Sequence, residues 1–190
     1  MAAYVVLLLA VLSRVLPHAL HSTAWNFTAV GGSLLFFGSK MRAGSKAAIA
    51  GKLVSMLAIL IATDYFLTVD VYQYAFHAQW YLVTWVWYAA IALLGMGLLR
   101  KPTVLRVIAG ALAAPTSFFL LSNGGVWASG GMYPQTLSGL GACYIAGLPF
   151  YRNDLVSTAI TVSALFALPV LAAKIEESLH AAQNNNLPAA

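Results

Sequence analysis

Apolar runs of helical length, each closed by a short polar connection, follow one another along nearly the whole chain. The clearest are Ala47–Leu67, Trp80–Leu99, Val104–Leu121 and Leu155–Ala173. Each is near the ~20 residues that a helix needs to cross a ~30 Å hydrocarbon layer. The pattern predicts helices over 2–16, 28–41, 46–67, 80–99, 104–121 and 155–174. A further apolar segment at 136–149 is short for a crossing, and its length suits a re-entrant or protein-buried piece. The predicted fold is all-α: an integral membrane helical bundle of about six transmembrane helices plus that short re-entrant segment. Residues 1–178 read as one transmembrane domain, and the Asn-rich tail 179–190 reads as disordered.

Composition strengthens this reading. With 61% hydrophobic and 8% charged residues in 190, a water-soluble domain would have no place to hide its apolar surface. The segment Ala2–Leu16 has no basic stretch before its apolar run, unlike a cleaved signal peptide, and reads as a retained first helix. Net charge is +5, but the basic residues gather at helix ends and not on one face, so no nucleic-acid partner is expected. Lys40, Arg42 and Lys46 fill one turn; Arg100, Lys101 and Arg106 fill another. Positive turns stay in the cytoplasm. Both termini are then expected inside, and the connections 17–27, 68–79 and 122–135 face outward from a cytoplasmic (inner) membrane.

Those outward connections hold few cations and many aromatic or hydrogen-bonding residues. The candidate substrate-binding residues are His18, Asn26, Asp64, Tyr72, Asn123, Trp127, Tyr133 and Arg152. Asp64 is the most pointed of them, because a carboxylate near the end of an apolar helix needs a partner, water or a ligand to offset its desolvation. Its alternative is an interfacial acid satisfied by backbone or water. Arg14 and Arg152 sit near helix ends and could snorkel. Trp80, Tyr81, Trp85, Trp87 and Tyr88 read as an aromatic belt at the headgroup level. Glycines beside Trp127 and Tyr133 suit a turn that closes over a planar ligand. Small residues spaced four apart, in Gly139/Cys143/Gly147, Ala142/Ala146 and Ala47/Gly51, serve either internal packing or docking of another membrane protein.

Catalytic motifs are missing: there is no HExxH, GxSxG or GxxxxGK[ST], and acidic residues number five. No catalytic residue, metal site or cofactor is expected. His18 and His21 have no Cys or carboxylate close by in sequence. The single Cys143 lies in an apolar run and reads as a small hydrophobe.

Two stretches carry a resemblance. One is Ser13-Arg14-Val15-Leu16-Pro17-His18 with Asn26-Phe27-Thr28-Ala29-Val30-Gly31. The other is Ser122-Asn123-Gly124-Gly125-Val126-Trp127, then Met132-Tyr133-Pro134 and Leu148-Pro149-Phe150-Tyr151-Arg152-Asn153. Together they resemble an uncharacterised bacterial family of small multi-pass proteins. That family in turn resembles the substrate-binding S components of energy-coupling-factor (ECF) vitamin transporters. The resemblance implies six helices with both termini inside and a vitamin-type small-molecule ligand under external loops. It also implies a membrane coupling protein with ATPase subunits as partner. Two other functions compete: a non-catalytic accessory subunit of a larger membrane complex, and an intramembrane enzyme in which Asp64, His18 or Arg152 would meet in one cavity.

Overall fold

The computed structural model describes residues 1–15, 27–171 and 175–177. Among them all regular structure is helical: α1 (Ala2–Ser13), α2 (Val30–Met41), α3 (Lys46–Phe66), α4 (Leu82–Leu98), α5 (Val104–Ala128) and α6 (Leu137–Val162). Single π turns at Leu67–Val71 and Ser163–Ala167 extend α3 and α6, and a 3-10 turn at Ala78–Tyr81 leads into α4. Four stretches are long and apolar enough to cross a membrane: Lys46–Val71, Ala78–Leu98, Val104–Ala128 and the run that begins at Leu137. The helices α1 and α2 have 12 residues each, about 18 Å at ~1.5 Å per residue, which is less than the hydrocarbon thickness.

Local chemistry sets where the long helices begin. Ser45, Thr103 and Thr136 precede α3, α5 and α6. Each hydroxyl accepts a first-turn N–H, from Ala48, Arg106 and Gly139 at 3.2, 3.4 and 3.1 Å. Lys52 donates to the carbonyls of Met41 (3.3 Å) and Ala43 (2.5 Å), which puts a cation at the open C-terminus of α2.

The short helix α2 is the hub, packing against each of the other five. It meets α4 backbone to backbone. A Cβ on Gly38 would overlap the carbonyl oxygen of Ala92, and one on Gly95 would overlap that of Leu35. Around this crossing Leu34, Leu35, Phe37, Leu60, Ile91 and Ala92 form a dry core. In lipid such close approach gains dispersion where no hydrophobic drive exists between helices.

Two expectations are corrected by the helical pairing of α5 and α6. The segment 136–149 is not a separate re-entrant piece; it is the first half of one helix that continues through Pro149 to Val162. Neither Pro149 nor the buried Pro115 of α5 ends its helix, because neighbouring helices can re-satisfy or shield the freed carbonyl. Likewise α5 continues past Leu121 to Ala128, so Asn123 and Trp127 lie on a helix and not in a loop. Interhelical contacts outweigh the low helix propensity of Asn123, Gly124 and Gly125. Tyr144 Oη reaches across to Leu120 O (2.8 Å), and Gly147 leaves room for the Asn123 amide, which donates back to Phe119 O within α5 (2.8 Å). The row Gly139/Cys143/Gly147 is buried, whereas Ala142, Ala146, Ala47 and Gly51 are exposed. The tail 179–190 lies outside the described residues.

Candidate functional site: a charged cavity between the helices

Asp64 sits two residues before the end of α3, and only 1% of it is exposed. A bare carboxylate there would be untenable. Three donors from other elements hold it. Arg14, the first residue beyond α1, makes an ion pair with Oδ1 through Nη2. Trp85 Nε1 donates to Oδ2 at 2.9 Å, and Tyr88 Oη donates to Oδ1 at 3.3 Å. Arg14 is fixed in turn by the chain around it. Ser13 Oγ donates to Ala10 O (2.6 Å) and accepts from Ala29 N (2.9 Å), which ties the end of α1 to the start of α2.

The backbone next to Asp64 is also secured. Thr68 Oγ1 donates to Asp64 O at 2.6 Å and lies 2.5 Å from Tyr81 Oη. Tyr81, Phe76 and Trp85 pack in a mutual cluster, with centroids 5.1 Å (Phe76–Tyr81), 6.0 Å (Tyr81–Trp85) and 6.4 Å (Phe76–Trp85) apart, forming a wall of rings beside the carboxylate. Tyr81, Trp85 and Tyr88 recur at i, i+4 and i+7, the spacing of one helical face. The aromatic-belt expectation is therefore corrected for most of the cluster. Trp80 alone is 69% exposed; Trp87 and Tyr88 are buried, and Tyr81 and Trp85 are half-buried. The spacing was legible in the sequence, but it does not distinguish a belt from a site wall.

Beside the ion pair lies a cavity of about 220 Å³, lined by Arg14, Asp64, Trp87, Tyr88, Phe118 and Asp154 among others. Gly31 of α2 also lines it. Trp87 is held by a 3.0 Å bond from Nε1 to Ser117 Oγ and packs on Phe118 at 4.7 Å. Asp154 enters from the middle of α6 and was not among the expected residues. It is 7% exposed and accepts from Thr158 Oγ1 at 3.3 Å. Arg14 is committed to its ion pair with Asp64, and among the described residues no cation pairs with Asp154. Arg14 keeps a buried Nη1 without a hydrogen-bond partner.

The expected residues divide. Asp64 lines the cavity. Asn123 lines a second hollow of about 20 Å³ that Asp154 also borders. Trp127 and Tyr133 lie at the α5–α6 turn, where Trp127 Nε1 donates to Pro134 O (3.0 Å) and the Trp127 carbonyl accepts from Gln135. This bond shapes a turn and leaves the ring outside the cavity lining. Tyr72 follows the π turn and is half-buried, also outside the lining. Arg152 is exposed, a consequence of lying two residues, about 200° of helical turn, from the inward-facing Asp154. His18 and Asn26 lie outside the described residues. Among the described residues no three His, Cys, Asp or Glu side chains gather as metal ligands.

No curated protein and no solved structure matches this chain. Residues 1–180 do match one family throughout, and the chain accordingly belongs to the family of unknown function DUF6580.

Proposed function

We propose that this protein captures a vitamin-type small molecule in the Arg14–Asp64–Asp154 cavity for uptake, in the manner of an ECF-transporter S component. Its setting is the cytoplasmic membrane, with the aromatic connections outward and the basic turns inside. The single observation that carries the reading is a cavity of about 220 Å³ inside an apolar bundle, walled by rings and holding three ionisable groups. Lipid-facing or purely structural helices do not need two carboxylates and a guanidinium converging there, because each is costly to bury. Below the ~300 Å³ of ordinary drug-sized sites, the volume favours a small ligand and disfavours a corrinoid such as cobalamin.

The accessory-subunit reading keeps one observation in its favour: the exposed small residues Ala47 and Gly51 on α3 and Ala142 and Ala146 on α6. The enzyme reading required Arg152 or His18 beside Asp64. Arg152 is exposed, and His18 is not described.

The test has two arms. Purified full-length protein in nanodiscs should bind at least one of biotin, riboflavin, thiamin or a compound of similar or smaller size, measured by calorimetry and native mass spectrometry. Absence of binding across that panel, with stable isolation in a larger complex, would favour the accessory reading. In a Cys143→Ala background, Gln73→Cys and Gly131→Cys should react with an impermeant maleimide from outside whole cells, and Ala43→Cys only after lysis. Labelling of the first two from opposite sides would overturn the topology.

A further inference from the structure

The charges around the cavity do not balance. Arg14 and Asp64 neutralise each other at hydrogen-bond distance, while Asp154 faces the same space without a cation among the described residues. Its recorded support is one bond from Thr158 at 3.3 Å, long for a hydroxyl donating to a carboxylate. A carboxylate so placed is satisfied most strongly by a positive donor arriving from the cavity. The rings that share the lining, Trp87, Tyr88 and Phe118, present π faces that attract a cation in a dry setting.

We infer that the ligand is a small organic cation. Its ammonium or protonated nitrogen lies against Asp154, and its body lies among the rings. This rests on the capture reading and narrows it to one charge class. Anions are disfavoured because the one guanidinium in the cavity is already committed to Asp64, and Asp154 would repel them.

Picolylamine, nicotinamide and nicotinate test this directly, since they share one pyridine ring and are cationic, neutral and anionic at neutral pH. Choline, thiamin and benzylamine extend the cation set. Calorimetry on the full chain in nanodiscs should show binding within the cation set. Asp154→Asn should weaken it by about tenfold or more, the worth of one charge-assisted bond, while Asp154→Glu retains more of it. The thermal unfolding midpoint of Asp154→Asn, measured beside wild type, separates loss of binding from loss of fold. Binding of nicotinate or nicotinamide without any cation would leave capture standing and overturn the charge class. So would cation binding that a folded Asp154→Asn variant leaves unchanged. Binding of no compound in either this set or the vitamin panel would overturn capture and the charge class together.

Discussion

The same two helices, α2 and α4, make a closed seam at one level and an open cavity at another. At the seam Gly38 and Gly95 bring the backbones into contact, and no polar side chain intervenes. Two turns earlier on α2, Gly31 faces Thr158 Oγ1 and the edge of Trp87 rather than another backbone, and the helices part around charged groups. A glycine therefore has opposite effects depending on what stands across from it. Facing a carbonyl, it lets two backbones touch; facing side chains, it makes room for the Thr158 hydroxyl beside the cavity. The seam supplies rigidity to the hub of the bundle, and the cavity can hold costly charges because that hub does not move to collapse it.

This contrast can be broken from the seam side first. Gly38→Ala forces a methyl into the Ala92 carbonyl, with backbone on both sides and no rotamer to relieve it. It should cost upwards of ~4 kcal/mol, at the far end of point-mutant effects, and be read as loss of a monodisperse peak in detergent. Next in size is Arg14→Met, which leaves the Asp64 carboxylate buried without its cation. A loss of about 3–5 kcal/mol is expected in unfolding titrations, most of it recovered when Asp64→Leu is added. Trp85→Phe keeps the ring stack but removes the 2.9 Å bond to Asp64, and should cost about 1.5–3 kcal/mol. Smallest is Gly31→Ala. Its methyl meets the buried Thr158 hydroxyl at 2.9 Å, a side-chain atom rather than backbone, which has to give way. A cost of about 1 kcal/mol, with weaker ligand binding in calorimetry, would separate cavity from seam. Equal losses for the two glycine variants would erase the distinction.

Much of the bundle was legible before any coordinates. The apolar runs 46–67, 80–99 and 104–121 each overlap a helix of the structure, because in lipid each backbone polar group must be satisfied within its own segment. Boundaries at α5 and α6 were not legible. Asn123-Gly124-Gly125 and Leu148-Pro149-Phe150 look like breaks by propensity, yet both lie inside helices held by each other's side chains. Asp64 stood out because a carboxylate in an apolar run is costly wherever the chain folds. Asp154 did not, since it follows Tyr151, Arg152 and Asn153 in what resembled a polar connection.

By itself, the order of residues determined the class of this protein: a helical membrane bundle with six of its ten basic residues in two turns, a consequence of transfer free energies that act segment by segment. Only the tertiary structure decided which polar groups share a space. Arg14, Asp64 and Asp154 come from three helical elements far apart in sequence. Their meeting depends on how the helices that carry them pack around α2, which touches each of them. That relation is set between helices, and no single segment encodes it.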